Sequence, residues 1–239
     1  MGPAGARPML ESLELIELPF DEAGIEVRLL DLSRLPDLEM DTAGLLAGPE
    51  RAEYAELRHP LRRREWLGAR ACLKLMVMRR GRIAAPQDSV VIKDPRGRPR
   101  LAVASAPAVD VVADCSLSHK ARFACAAVSN AAGSRIGVDV EEIAPRLRRL
   151  TRQFVHADDR VLDAHPEDER LAILWALKEA CSKVLGRGLA MGLHDIVCEE
   201  ITPGRHRVVT GELALAGRHI TYDGYVIALC VGADRMLER

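Results

Sequence analysis

Aromatic side chains are scarce in this chain of 239 residues, where phenylalanine, tyrosine and tryptophan together account for 3%. The core must therefore be built mainly from leucine, valine and alanine. The chain also lacks an excess of charge, and its formal net charge of −1 gives no reason to expect a nucleic-acid or membrane partner. No apolar run approaches the ~20 residues of a membrane helix, and the N-terminus lacks the apolar segment of a signal peptide. We expect a cytoplasmic protein.

Several common functional motifs are missing as well. There is no C-x-x-C pair and no Cys/His ligand spacing, which argues against a zinc site. The nucleotide loops G-x-x-x-x-G-K-[ST] and G-x-G-x-x-G are absent, as is the G-x-S-x-G elbow of serine hydrolases. Most of the six cysteines lie in apolar runs, which predicts reduced core thiols: Cys72, Cys115, Cys125, Cys181, Cys198 and Cys230.

Two long helices are predicted, each with its own stop signal. The first covers Pro60–Met78 and is followed by Gly81, and the second covers Pro166–Leu185 and ends at Gly186. Each is followed by several strand-like segments. Shorter helices are predicted over Pro49–Leu57, Arg146–Phe154 and Ala157–Ala164.

The two long helices share a faint repeat of spacing and identity. Trp66-x-x-x-Arg70-Ala-Cys-x-Lys74 corresponds to Trp175-x-x-x-Glu179-Ala-Cys-x-Lys183. Chance is a rival explanation, because alanine, leucine and lysine are common. The order of helix and strands in both halves favours duplication.

We therefore expect an α+β fold of two similar halves related by a pseudo-twofold. Each half would be a small antiparallel sheet packed on a long helix. The halves would be residues 1–130 and 131–239, with the active site in the cleft between them, where ligand sites are favoured. A monomer is expected, since duplication would supply both sides of the site.

The second long helix carries charge on an apolar background. Trp175, Glu179 and Lys183 are four residues apart and share one stripe, whereas Lys178 projects about a quarter-turn away. Burial of such charges is costly unless a partner meets them. An exposed Glu/Lys ladder with Trp175 as a core anchor explains this pattern equally well.

The segment Gly137-Val-Asp-Val-Glu141 places two acids on one side of a predicted strand. Asp139 and Glu141 point to the same face, about 7 Å apart. Mg²⁺ suits such a pair, because it prefers oxygen ligands from a few carboxylates and from phosphates. The alternative is a half-exposed strand with its acids in water.

Two further segments could recognise phosphate. Ser116-Leu-Ser118-His119 is followed by Lys120, and we place it at the bend between two strands. A solvent-exposed turn histidine is the alternative. Arginines are abundant in the first half, where they could bind phosphate or form a solvated face, and Gly97 would allow close backbone approach: Arg62, Arg63, Arg64, Arg70, Arg96, Arg98 and Arg100.

Taken together and in this order, the segments resemble the 4′-phosphopantetheinyl transferases of the long, two-half (Sfp-like) type. The resemblance covers about half of the chain. It rests on five segments: Arg64-Glu-Trp-Leu-Gly-Ala-Arg70, Gly97-Arg-Pro99, Ser116-Leu-Ser-His119, Gly137-Val-Asp-Val-Glu141 and Trp175-Ala-Leu-Lys-Glu-Ala-Cys-Ser-Lys183.

The resemblance implies a reaction and a metal. The family transfers the phosphopantetheine arm of coenzyme A to a serine of an apo carrier protein, releases 3′,5′-ADP and requires Mg²⁺. Asp139, Glu141 and Glu179 would ligate Mg²⁺. Glu179, or a water it holds, would take the proton of the serine hydroxyl. Lys183 would stabilise the leaving group, and Lys178 would help to hold the phosphates.

The resemblance also assigns the coenzyme A and carrier contacts. His119, with Ser118, would contact the pyrophosphate, while Arg64, Arg98 and the Gly97 turn would hold the 3′-phosphate and adenine end. Arg70 would grip the ligand where the second copy of the repeat carries Glu179. Family members often have Gly-Lys-Pro at the turn, and small residues often stand at the Lys120 position. The carrier is acidic and could meet four basic residues that are otherwise a solvated face: Arg146, Arg148, Arg149 and Arg152.

Two other functions remain open from the sequence. One is a Mg²⁺-dependent phosphodiesterase acting on coenzyme A or a nucleotide, with water as the nucleophile. The other is a coenzyme A-binding module without turnover. The sequence leaves open which carrier protein is the substrate.

Overall fold

The computed structural model describes residues 13–34, 42–95, 97–104, 111–130, 133–162, 164–186 and 192–233. The chain divides into two compact units. The first holds the described residues up to Pro19 together with Glu26–Asp94 and Pro99–Val128. The second holds Phe20–Ile25, Pro95–Arg98 and the described residues from Ser129 onwards.

The first unit contains a six-stranded sheet in the order β1-β2-β6-β5-β4-β3. The pairs β1/β2, β3/β4 and β4/β5 are antiparallel. The strands are β1 (Ile16–Glu17), β2 (Ile25–Asp31), β3 (Ser89–Lys93), β4 (Pro99–Val103), β5 (Val111–Lys120) and β6 (Phe123–Ser129).

The helices of the first unit are α1 (Thr42–Leu45), α2 (Gly48–Glu56) and α3 (Pro60–Arg79). Short 3₁₀ turns cover Leu32–Arg34 and Pro86–Asp88. Helix α3 begins with Pro60, whose missing N–H costs nothing at a helix start. Its buried face, which includes Leu67, Leu73 and Leu75, forms an aliphatic core with the sheet.

The second unit contains a five-stranded antiparallel sheet in the order β7-β11-β10-β9-β8. Its strands are β7 (Ser134–Glu142), β8 (Val197–Thr202), β9 (Arg205–Thr210), β10 (Leu213–Tyr222) and β11 (Tyr225–Ala233). Its helices are α4 (Thr151–Phe154) and α5 (Glu167–Leu185), with 3₁₀ turns over Pro145–Leu150 and Leu193–Asp195. Helix α5 ends at Gly186, which adopts the left-handed conformation with φ of 67°.

The predicted α+β class is confirmed, since each unit contains one long helix and a sheet with antiparallel pairing. The helix predicted over Ala157–Ala164 is wrong. Arg160 instead pairs with the β8 edge, where its N–H donates to Cys198 O at 2.8 Å and its carbonyl accepts from Glu200 N at 2.7 Å. Pairing with the strand satisfies the backbone groups that a helix would have used internally.

The predicted state of the cysteines is also confirmed. All six are buried and free of disulfides. Burial raises the pKa of the Cys72 thiol to about 12, so this thiol stays protonated and unreactive. Among the described residues, no helix is long and apolar enough to cross a membrane.

Asp31 joins the end of β2 to the turn between β5 and β6. Its carboxylate accepts from Arg122 Nε at 3.1 Å and Nη2 at 2.7 Å, and from the Ser33 amide at 2.9 Å. Burial raises the pKa of Asp31, but hydrogen bonds from Arg122 and Ser33 outweigh this and hold it at about 2. The ionised form therefore stabilises the fold.

We expect Asp31→Asn to lower the free energy of unfolding by about 2 kcal/mol at pH 7. Because the folded pKa is depressed, this contribution is present above pH 4 and is lost as pH falls towards 2. Urea unfolding of both proteins across this range should show the difference shrinking in acid. The exposed Glu14→Gln is the control, and a difference that stays constant down to pH 2 would contradict the assignment.

Candidate active site

Helix α5 packs against the face of β7 that carries the two acids. Asp139 pairs across the sheet with Ala228, and Glu141 pairs with Val226. Both partners belong to the core cluster that α5 forms with the sheet. Residues paired directly across strands share a face, so Asp139 and Glu141 point to the α5 side.

Gly137 lets the helix approach this strand closely. A Cβ at Gly137 would overlap the carbonyl oxygen of Ala180 and come within 3.0 Å of the Val184 amide nitrogen. Both atoms belong to the α5 backbone, which cannot move as a side chain would. The glycine of Gly137-Val-Asp-Val-Glu141 is therefore required by packing between strand and helix.

We expect Gly137→Ala to lower the free energy of unfolding by about 2–3 kcal/mol, the upper part of the usual range for overpacking. Metal affinity should fall with it, because α5 must move away from β7. Denaturant unfolding and a metal titration would measure both effects. Gly48→Ala is the matched control, since its new Cβ would make only an ordinary contact at 3.8 Å. Unchanged stability in Gly137→Ala would contradict the packing.

The two strand acids are buried and each meets a cation. Asp139 Oδ1 accepts from Lys183 Nζ at 2.8 Å, and the same ammonium donates to Val138 O at 2.8 Å. Glu141 pairs with Arg146. Asp139 and Glu141 are 6% and 4% exposed. The alternative of a strand with its acids in water is thereby wrong.

Glu179 lies on α5 one turn before Lys183 and is partly buried. Its pKa is raised, first by burial and then by the negative charge of Asp139, while Lys183 lowers it in part. The charge effects show that these three groups are electrostatic neighbours. We call Asp139, Glu141, Glu179 and Lys183 the carboxylate cluster.

The donor chemistry of the carboxylate cluster suits a divalent cation. Its three carboxylates would offer oxygen ligands, which are the ligands that Mg²⁺ prefers. A bound cation would favour the ionised form of Glu179, whose pKa is raised by burial and then by the charge of Asp139.

Lys178 does not join the carboxylate cluster. Its side chain is fully buried, and its ammonium donates to Phe154 O at 2.6 Å and to Asp159 Oδ2 at 2.7 Å. Asp159 also accepts the backbone N–H of His156 and of Cys198. Lys178 therefore ties α5 to the segment after α4, and this position argues against the predicted phosphate contact.

In the first unit, Ser118 and His119 lie near the end of β5. The strand continues to Lys120, and the turn follows at Ala121, which has φ of 46°. The predicted bend at Ser118–Lys120 is therefore wrong by about two residues, because cross-strand pairing extends the strand. His119 Nδ1 lies 3.3 Å from Glu65 Oε2, and Glu65 also accepts the Ala121 amide at 2.8 Å.

Two arginines of α3 that were predicted to contact coenzyme A, Arg64 and Arg70, differ in their exposure to solvent. Arg64 is exposed on α3 and hydrogen-bonds to Leu32 O. Arg70 is buried, with its guanidinium 3.2 Å from the centroid of the Trp66 ring and 3.3 Å from Glu53 Oε2. These contacts argue against a ligand role for Arg70.

The turn before β4 contains the remaining predicted contacts of the first half. Gly97 has φ of 81° and is exposed, and a Cβ there would meet nothing within 4 Å. Its positive φ is the conformation that favours glycine. Arg98 is 3% exposed, so its side chain is enclosed by protein.

The basic segment after β7 contains two arginines that form ion pairs and two that are exposed without one among the described residues. Arg146 pairs with Glu141, and Arg148 forms an ion pair of 2.6 Å with Asp168. Arg149 and Arg152 are exposed. Within the described residues, these two guanidinium groups form no ion pair.

Sequence reasoning missed the acids that position the predicted residues. Glu65 faces His119, Asp159 pairs with Lys178, and buried Glu50 pairs with Lys74. A sequence motif could have identified Glu65, because this residue lies inside Arg64-Glu-Trp-Leu-Gly-Ala-Arg70. No sequence motif identifies Asp159 or Glu50, because their partners lie at least 19 residues away in sequence.

Comparison with known proteins gives a family match in the second half of the chain. The sequence model of the 4′-phosphopantetheinyl transferase superfamily matches residues 135–230. The 4′-phosphopantetheinyl transferase psf-1 of Bacillus pumilus is 34% identical over 82 residues, which are 33% of this chain and 34% of that protein. The match therefore spans about a third of the length of the Bacillus relative.

Two further proteins resemble the chain. The crystal structure of Helicobacter pylori holo-acyl-carrier-protein synthase in complex with coenzyme A covers 40% of this chain and 96% of its own, with 20% identity and a TM-score of 0.32. The holo-acyl-carrier-protein synthase of Dinoroseobacter shibae is 34% identical over 95 residues, which are 38% of this chain and 67% of that protein. By this last match and the superfamily model, the chain belongs to the 4′-phosphopantetheinyl transferase superfamily.

Proposed function

We propose that the protein transfers the 4′-phosphopantetheine arm of coenzyme A to a serine of an apo carrier protein. The observation that carries the proposal lies on α5 and β7. Lys183 donates to Asp139, the charges of both act on Glu179, and Glu141 shares the strand face of Asp139. Membership of the superfamily supports it, and so do the names of the relatives from Bacillus and Dinoroseobacter.

Glu179 is the proposed proton acceptor. Its raised pKa makes its carboxylate a stronger base than an ordinary glutamate, which suits removal of a proton from a serine hydroxyl. The nucleophile comes from the partner, so the chain needs no nucleophilic serine of its own.

Lys183 is proposed to stabilise the leaving 3′,5′-ADP. Its ammonium uses two donors on Asp139 and Val138, and within the described residues the third donor is left for a phosphate oxygen. Asp139 in turn fixes the position of this ammonium.

Asp139, Glu141 and Glu179 would hold Mg²⁺. When bound, Mg²⁺ supplies positive charge that neutralises the phosphates of coenzyme A and lowers the cost of forming the leaving group. The residues themselves bind and orient, and burial of Asp139 and Glu141 excludes water from their carboxylates.

Residues in the first half of the chain are proposed to bind the coenzyme A phosphates and adenine. His119, oriented by Glu65, would contact the pyrophosphate together with Ser118. Arg64, Gly97 and Arg98 would hold the 3′-phosphate and adenine end. Arg70 and Lys178 are left out of this proposal, because buried contacts occupy both of them.

Arg149 and Arg152 are the proposed contacts for an acidic carrier protein. Both are exposed, whereas Arg146 and Arg148 already meet acids. We expect the double variant Arg149→Glu/Arg152→Glu to raise KM for the carrier about tenfold or more, with kcat nearly unchanged. The effect should weaken at high salt. Arg207→Glu, an exposed position on β9, is the control, and an equal effect in both would contradict the assignment.

Release of 3′,5′-ADP separates this function from its alternatives. The protein would be incubated with coenzyme A and Mg²⁺, with and without a panel of apo carrier proteins. We expect release only when a carrier is present, in amounts equal to the carrier modified. Steady release without any carrier would favour a phosphodiesterase, and coenzyme A binding without release under any condition would favour a non-catalytic module. Gel filtration would test the expected monomer.

A further inference from the structure

A second group of metal-ligating side chains lies in the second unit and shares no residue with the carboxylate cluster. His165 precedes α5, Glu200 lies on β8 and His219 lies on β10. Each offers one ligand atom, and these three atoms lie within 4.8 Å of one another. No local spacing in the sequence predicts such a group, because its members come from three separate elements.

The spacing within the group is close to that of a coordination sphere. His165 Nε2 lies 3.5 Å from Glu200 Oε1. Nitrogen and oxygen ligands about 2.0–2.1 Å from a tetrahedral zinc ion are about 3.4 Å from each other. The pair is therefore already at coordination distance, and the ligand atom of His219 lies within 4.8 Å of both.

Each of the three side chains is held by a further partner, as ligands in metal sites usually are. The Glu200 carboxylate accepts the Leu162 and Gly204 amides, both at 2.9 Å. His165 Nδ1 lies 3.5 Å from Glu169 Oε1. His219 Nδ1 is hydrogen-bonded to His206 Nε2 at 2.6 Å.

Burial also favours a cation at this group. Glu200 and His219 are 7% and 8% exposed, and buried charges are usually paired or coordinate metals. Imidazole nitrogen and carboxylate oxygen are both ligands that zinc binds.

We propose that His165, Glu200 and His219 form a binding site for a divalent transition-metal ion, with zinc as the ion that their two nitrogens and one oxygen favour. Mg²⁺ fits poorly, because it prefers oxygen ligands. The His165 side chain is 21% exposed, which gives the ion a path from solvent and leaves space for a water as the fourth ligand. The ion would tie the segment before α5 to β8 and β10.

Zinc retention tests the site on the full chain. The protein would be stripped with a chelator and equilibrated with Zn²⁺ in excess Mg²⁺, so that Mg²⁺ competes for the carboxylate cluster. Metal analysis is expected to find about one zinc per chain, and the thermal unfolding midpoint is expected to rise. His165→Gln should weaken zinc affinity more than about tenfold and abolish the rise in midpoint. His194→Gln, an exposed histidine outside the group, should behave like the unmodified chain.

Two results would overturn the proposal. One is a chain that retains no zinc in excess Mg²⁺. The other is equal zinc affinity in the unmodified chain and His165→Gln, which would place the metal elsewhere. If His165→Gln fails to fold by circular dichroism, Glu169→Gln serves instead. As a positioning residue, Glu169 should weaken zinc binding about tenfold when changed, and unchanged affinity would likewise overturn the proposal.

Discussion

Glu179→Gln is expected to reduce phosphopantetheine transfer by about 10²–10⁴-fold, the usual contribution of a positioned general base. Glutamine has nearly the same shape but cannot accept the serine proton, and it offers a metal one neutral oxygen in place of a carboxylate. The loss should appear in kcat, because the proton moves in the transition state.

The fold should tolerate this change. The pKa of Glu179 is raised, which means that its ionised form is disfavoured in the folded chain. Without metal, the Glu179→Gln chain should therefore unfold at the same temperature as the unmodified chain or higher at pH 7. Added Mg²⁺ should stabilise the unmodified chain more than the variant.

Turnover and thermal unfolding of both chains would be measured with and without Mg²⁺. Glu167→Gln is the control on the same helix, since its side chain is 57% exposed and outside the carboxylate cluster. Full activity in Glu179→Gln would remove this residue from the mechanism. A large drop in stability without metal would contradict the account of its charge.

Asp159→Ala is expected to lower the free energy of unfolding by about 3–5 kcal/mol, the usual cost of leaving a buried charge without its partner. Lys178 is fully buried and Asp159 is 3% exposed on its side chain, so water cannot replace the lost carboxylate. The change also removes the acceptor for the His156 and Cys198 amides.

A double variant separates the charge from the packing. Asp159→Ala/Lys178→Met removes the ammonium together with its partner, and it should recover part of the lost stability because no charge remains buried. The exposed neighbour Asp158→Ala should be nearly neutral. Denaturant unfolding of these variants and of the unmodified chain would decide. An unchanged stability in Asp159→Ala, with a raised KM for coenzyme A in Lys178→Met, would restore the phosphate role of Lys178.

The long helices and the shared face of Asp139 and Glu141 were predictable from local patterns. Helical periodicity, Pro60 and Gly186 define α3 and α5, and strand alternation defines the face of the acids. The position of Glu179 near that face could be predicted only on the assumption that α5 packs against β7. Gly137 makes this packing possible, and its role is visible only when Ala180 lies opposite.

The sequence could not predict which acid each of the two lysines on α5 would contact. Lys178 and Lys183 both belong to a charged helix, and spacing alone cannot tell which one meets the strand acids. Lys178 contacts Asp159 instead of the strand acids. Asp159 lies in a segment for which the predicted helix was wrong, because Arg160 pairs with β8. The pseudo-twofold, the cleft and the division at residue 130 stay predictions, and so does the monomer.

The mass of an apo carrier protein tests the central claim most directly. The carrier would be incubated with coenzyme A, Mg²⁺ and either the unmodified chain or Glu179→Gln, and its intact mass would be measured over time. The account predicts a gain of one phosphopantetheine group on the carrier serine with the unmodified chain and almost none with the variant. No gain on any of several carriers, or an equal gain with both chains, would contradict it.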